Sequence, residues 1–173
     1  MNFNEISKSR YSCRKYDAER KVEDEKINAI LNSAILSPSA CNSQPYHITV
    51  CRGENAKEVA RLTKQGPLNA FVEDASVMFV ISEMPYSPRA ERGAKLLNND
   101  FRSIDIGILS AYIIAEATAQ GLGSCILGCF DNEKIMSLCS LEGRVRLVIS
   151  IGYPLDEAGE KKRKTTEELI SFM

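Results

Sequence analysis

The sequence predicts a single domain built from both helices and strands. Three observations carry this. A chain of 173 residues with 44% hydrophobic content is enough for one substantial core. Ile27, Ile30, Leu31, Ala34 and Ile35 recur at the spacing of an amphipathic helix. Ser76 to Ser82 (SVMFVIS) is a short apolar run suited to an interior strand.

Taken in order, Glu23 to Ser37 is the first predicted helix, and Pro38 ends it by disfavouring the helical conformation at the residue before. Tyr46 to Arg52 alternates apolar and polar residues as a half-buried strand does. Asn55 to Lys64 returns to helical spacing, and the strand Ser76 to Ser82 follows. Met84 to Asn99, with Pro85 and Pro88, reads as a loop. Asp100 to Gln120 is apolar nearly all round, which predicts a buried helix, and Gly121 supplies a left-handed cap. A short strand Ser124 to Leu127, a helix from Asp131 as N-cap to Leu138, a strand Arg144 to Ile151 and an amphipathic tail from Thr165 complete the chain.

Composition excludes several functions. With 22 basic and 23 acidic residues, and Lys161 to Lys164 as the one short basic run, neither nucleic acid nor a membrane is expected as a partner. Met1 to Arg10 lacks the apolar core of a signal peptide and no run is long enough to span a bilayer, so a cytoplasmic location is expected. The six cysteines are dispersed and are expected to be reduced thiols. No Cys-x-x-Cys is present and His47 is the single histidine, so no metal site is expected. His47 lies in a strand-like alternation and no Gly-x-Ser-x-Gly occurs, which disfavours hydrolase triads. No Walker loop and no Gly-x-Gly-x-x-Gly fingerprint is present either.

What remains are three polar segments. SPSACNSQPYHITV, Ser37 to Val50, contains Ser39, Asn42 and Gln44, uncharged groups that both donate and accept and that suit the edge of a neutral heteroaromatic ring. The same residues are what any helix-to-strand turn uses. SRYSCRKY places Arg10, Ser12 and Arg14 at alternate positions, so in an extended segment two guanidinium groups flank a hydroxyl on one face, as a phosphate clamp would require. A solvated basic surface has the same composition. GLGSCILGCFD has Gly121, Gly123 and Gly128, which permit close backbone approach to a flat ligand or serve as a helix cap and strand. None of the residues singled out in the three is a histidine or a carboxylate, so any chemistry is expected to reside in a bound cofactor.

In this order, and with the long helix between the second and third segments, VRLVISIGYP after them and a basic KKRK tail, the chain closely resembles the nitroreductase family of FMN-dependent oxidoreductases over essentially its whole length. The resemblance implies an α+β, three-layer fold: a mixed, mainly antiparallel sheet flanked by helices, forming one FMN-binding domain over residues 1–173. It implies a homodimer whose C-terminal segment is exchanged onto the partner and whose active sites are shared between subunits. Arg10, Tyr11, Ser12 and Arg14 would hold the FMN phosphate and ribityl chain, with Lys161 and Arg163 from the tail. Pro38, Ser39, Ala40, Asn42 and Gln44 would approach the flavin from the second subunit, Leu127, Gly128 and Cys129 would present backbone groups to its N5 side, and Asn69 would meet its pyrimidine edge.

The implied activity is ping-pong transfer of a hydride from NAD(P)H through flavin N5 to a small organic acceptor: a nitroaromatic, a quinone, an enone or another flavin. No protein residue would be catalytic in its own right. A non-enzymatic flavin-binding or interaction protein, and a specialised flavin-processing or dehalogenating relative, are the alternatives. Two departures stand out. Larger members insert helices before the long helix where this chain has only Met84 to Asn99, and Cys129 stands where glycine is common.

Overall fold

The computed structural model of the protein describes residues 1–64 and 68–173; the Gly66 and Pro67 that precede Asn69 in the GPLNAF segment lie outside the described residues. The elements are α1 (Phe3–Ser9), α2 (Asp24–Ala34), β1 (Tyr46–Arg52), α3 (Gly53–Leu62), β2 (Val77–Glu83), α4 (Pro88–Leu97), α5 (Phe101–Ala119), β3 (Gly123–Leu127), α6 (Asn132–Leu138), β4 (Val145–Gly152) and α7 (Thr166–Leu169).

The strands form a four-stranded sheet in the order β1-β2-β4-β3, and all three pairings are antiparallel. The parallel contact anticipated for a mixed sheet is reduced to one isolated bridge, Ser12 with Ser124. Side chains alternate across a strand, so β2 sends Val77, Phe79 and Ile81 to one face, against Ile27 and Ile30 of α2 and Ile106, Leu109 and Ile113 of α5. Met78 and Val80 point the other way, against Val59 and Ala60 of α3 and Ile135 of α6. Helices therefore cover both faces of the sheet, giving three layers. β2 is buried along nearly its whole length, which is why it reads as an apolar run while β1, at the sheet edge, alternates.

Two expectations need correction, and one element went unanticipated. Met84 to Asn99 contains a helix, because Pro88 occupies the first position of α4, where its missing N–H and fixed φ cost nothing. α5 buries Asp105, Ile106, Leu109, Ser110, Ile113 and Ala117, yet Ile104 and Tyr112 on its other side remain exposed. Its all-round apolarity exceeds what one chain can cover. α1 was not anticipated, although Asn2 and Glu5 form a complete capping box at its start.

Two ends are set as the sequence predicts. Asp131 caps α6 by accepting from the Lys134 N–H, and Gly121 ends α5 at a φ of 74°. There the Leu122 N–H reaches back to the Ala117 carbonyl at 2.8 Å, closing the helix. Among the described residues, no helix is long and apolar enough to cross a membrane.

Candidate active site

Arg10, Tyr11, Ser12 and Arg14 line one side of a surface cleft of about 420 Å³, and Gly159 to Arg163 of the C-terminal segment line the other. Two stretches about 150 residues apart in sequence thus meet, and both bring cations. The Tyr11 hydroxyl ties them by donating to the backbone carbonyl and carboxylate of Asp156, at 2.6 and 2.8 Å. Burial, then this bond, pushes the Tyr11 phenol above its ordinary range. Lys161 donates to the Ser7 carbonyl at 2.6 Å, and its ammonium is pulled below its usual value by burial first and by the Arg10 and Arg163 charges next. No described carboxylate forms a salt bridge with Arg10, Arg14, Lys161 or Arg163. Gathered like charges without a counter-charge are the arrangement that a polyanionic group relieves.

The clamp segment lies along β3. Ser12 bridges Ser124, and the Cys13 N–H donates to the Ser124 carbonyl at 3.0 Å. Gly123 is needed here, since a Cβ on it would sit 2.7 Å from the Cys13 sulfur. Gly121 is the helix cap, so of the three glycines proposed for ligand approach Gly128 is left without a structural use, and nothing lies within 4 Å of where its Cβ would be. β3 runs from the clamp to Leu127, followed by Gly128 and Cys129, and the four steps from Ser124 to Gly128 span about 13 Å at strand rise. Gly128 and Cys129 are exposed and Leu127 is buried.

Asn69 closes this end. It adopts a left-handed backbone, φ 61°, and its side-chain amide donates to the carbonyls of Thr63 at 2.9 Å and Cys129 at 3.1 Å. Both amide hydrogens are used internally, which leaves the amide oxygen as the atom able to accept from a ligand. Arg14 lies 5.8 Å from the Phe71 ring, linking the clamp to the same segment.

The Pro38 to Gln44 loop sits elsewhere. Cys41, Asn42 and Gln44 all have positive φ, between 45° and 51°, and non-glycine residues held there cost on the order of 1–3 kcal/mol each. Much of the loop's polarity pays for this geometry: Ser39 accepts from the Gln44 N–H at 2.9 Å, and the Gln44 amide donates to the Asn42 backbone and side-chain oxygens at 3.2 and 3.1 Å. The Asn42 amide hydrogens remain available. Two outside groups pin the loop: Asp105 of α5 accepts from the Ala40 N–H at 2.9 Å, and Ser43 accepts from the Ser87 N–H at 2.7 Å.

Within one chain the clamp and this loop lie at opposite ends of α5. The loop is bonded to Asp105, whereas Arg10 and Tyr11 share a cleft with Thr118. Thirteen residues of helix separate these points, about 20 Å along its axis.

Of the residues that sequence reasoning singled out, the structure brings Arg10, Ser12, Arg14, the tail cations, the strand end and Asn69 into one region while leaving the loop apart. Sequence reasoning missed Asp105 and Asp156. Asp105 had a legible signal, an ionisable residue between two isoleucines in a largely apolar helix; Asp156 had none. Among the described residues, no three His, Cys, Asp or Glu side chains gather as a metal-binding group.

Comparison with known proteins bears on the fold and the family. The family model described as the nitroreductase family matches residues 7–68 and 54–153. A Methanothermobacter thermautotrophicus relative carrying an NADH dehydrogenase/NAD(P)H nitroreductase name is 31% identical over 170 residues, covering 93% of this chain and 82% of its own. The oxygen-insensitive NADPH nitroreductase of Helicobacter acinonychis is 24% identical, with 98% and 95% covered. The fold matches a nitroreductase family protein from Streptococcus pneumoniae at a TM-score of 0.84, 23% identity and 99% and 100% coverage. It also matches an Exiguobacterium sibiricum protein solved in complex with FMN, at 0.80, 22% identity and 100% and 98% coverage. With the family model covering most of the chain, the protein belongs to the nitroreductase family.

Proposed function

We propose that the protein is an FMN-dependent oxidoreductase that passes a hydride from NAD(P)H to a small organic acceptor, working as a homodimer with active sites shared between subunits. The observation that carries the reading is the uncompensated cation cluster of Arg10, Arg14, Lys161 and Arg163, set one strand's length from an exposed, sterically open backbone at Gly128. The donor set fits the cofactor: cations for a phosphate at one end, and the Asn69 amide oxygen with open backbone for a flat polar ring at the other.

When bound, FMN supplies the hydride-accepting and hydride-donating chemistry. The chain's own residues bind and orient. Arg10, Ser12 and Arg14, joined by Lys161 and Arg163, anchor the anion; Tyr11 acts through Asp156 to hold the tail segment against it. Gly128 and Cys129 offer main-chain groups to the ring, and Asn69 accepts at its edge. No side chain in this set is assigned a proton transfer, so the chemistry rests with the flavin, in a proposed ping-pong sequence in which NAD(P)H leaves before the acceptor enters.

Two observations support a second copy of the chain. The Pro38 to Gln44 loop lies about 20 Å along α5 from the clamp, so a site using both takes the loop from a partner. The outer side of α5, with Ile104 and Tyr112, and the tail residues Leu169, Ile170 and Phe172 are all exposed in one chain, as surfaces for a dimer would be.

Titration with FMN and with riboflavin, followed by flavin fluorescence, tests the reading. Charge-assisted bonds to phosphate are worth roughly 1.5–3 kcal/mol, so FMN is expected to bind about ten to a hundred times more tightly than riboflavin. Equal affinities would show that the cation cluster does not read a phosphate.

A further inference from the structure

We infer that Asp105 is a positioning residue: through its carboxyl it holds the Ala40 to Gln44 turn in the shape that presents Ser39 and Asn42 to the cofactor. This rests on the reading given above, in which that loop serves a flavin.

Asp105 is 2% exposed, inside α5. One carboxyl oxygen accepts from the Ala40 N–H at 2.9 Å; the other is buried and meets no hydrogen-bond donor among the described residues. As a stabilising device this is poor, because a buried polar atom without a partner is a cost that a residue of the same shape without polar atoms would avoid. Asp is also a weak helix former in a helix interior. Something other than the stability of α5 is served by it.

The loop shows what. Ala40 is the last residue before two consecutive left-handed residues, Cys41 and Asn42, with Gln44 left-handed after them. The chain must leave an extended Ser39 and enter a reversed turn within one residue. Fixing the Ala40 N–H against a rigid helix sets where that reversal begins. The bonds among Ser39, Asn42 and Gln44 preserve the turn's internal shape but do not place it on the rest of the fold. Of the two outside pins, Ser43 with Ser87 joins the loop to the N-cap of α4, a helix that buries Ala90 alone, whereas Asp105 joins the turn to α5, which packs directly on the sheet.

The required atom is an acceptor facing Ala40, and Asp105→Asn retains one whereas Asp105→Ala does not. FMN affinity, read by fluorescence quenching, is expected to fall about tenfold in Asp105→Ala, the scale of one buried hydrogen bond and the disorder it releases. It is expected to stay within about threefold of wild type in Asp105→Asn. Ala40→Pro, which deletes the donor at the first position of the turn, where proline is tolerated, is expected to match Asp105→Ala and replaces it should that variant not fold.

A second readout separates positioning from general damage. Co-refolded with Arg10→Ala, Asp105→Ala is expected to regain activity in mixed dimers, as Asn42→Ala is expected to; co-refolded with Asn42→Ala it is expected to regain none. Recovery with Asn42→Ala, an unchanged affinity in Asp105→Ala, or an Asp105→Asn as impaired as the alanine variant would each overturn the assignment. The control pair Arg10→Ala with Asn42→Ala judges the shared site itself. The single-variant affinities judge Asp105 whichever way that control falls.

Discussion

The side-chain amide of Asn69 donates to the backbone carbonyl of Cys129 at 3.1 Å, across sixty residues of sequence. This bond and its companion to Thr63 fix the end of β3 at which the flat part of the cofactor is proposed to lie.

Asn69→Ala is therefore expected to lose roughly 1–3 kcal/mol of stability, since two carbonyls lose their donor and the left-handed backbone, φ 61°, is kept without an asparagine to favour it. Asn69→Gly restores the backbone freedom but not the bonds, and should fall between the two. Urea denaturation measures both.

Arg10→Ala is expected to weaken FMN binding by about ten- to a hundredfold, the value of a charge-assisted bond to phosphate. Exchanging an arginine already engaged elsewhere, such as Arg52 paired with Asp24 at 2.5 Å, should leave affinity unchanged. The two variants compared in one fluorescence titration distinguish a clamp from a diffuse basic surface.

Much of this was legible in the sequence because the strands carry their environments openly. β1 has the predicted limits, Tyr46 and Arg52, since an edge strand with one face less covered must alternate. α4 was hidden by Pro85 and Pro88, which read as breakers although the second begins the helix. The Arg10, Ser12 and Arg14 pattern was legible because these residues are near neighbours in sequence. Asp156, which ties the tail to it through Tyr11, was not, because its role exists only once β4 has returned the chain to that side. The polar loop was half read: its hydroxyl and amide groups are spent as much on holding left-handed residues as on facing a ligand.

The thiols should sort by burial. Cys41 and Cys129 are exposed, whereas Cys13, Cys51 and Cys125 are buried. Burial first, then the neighbouring Cys139, pushes the Cys51 thiol up to about 12, so it holds its proton at neutral pH. Brief iodoacetamide treatment followed by peptide mass mapping is expected to label Cys41 and Cys129 first, and saturating FMN is expected to slow both. Labelling of Cys51 at the rate of Cys41 would contradict the packing.

Acid should act on the start of α5. The Ser103 hydroxyl, foremost, holds the Asp100 carboxyl down to about 2, with help from the Ser103 N–H, Tyr86 and Arg146. Because its folded value lies below its unfolded one, the stability it adds is present above the unfolded value and is lost as pH falls through the folded one. The stability difference between wild type and Asp100→Asn is expected to persist at neutral pH and to shrink as pH falls from about 4 to about 2. A pH series of urea denaturations checks the window.

The most direct measurement is the visible spectrum of the FMN-loaded protein during anaerobic addition of NADH or NADPH. The flavin band is expected to bleach with one of the two nucleotides in proportion to the nucleotide added, and to return when an acceptor such as a quinone or a nitroaromatic is supplied. A protein that takes up no FMN, or that keeps its flavin band with both nucleotides present, would contradict the central claim.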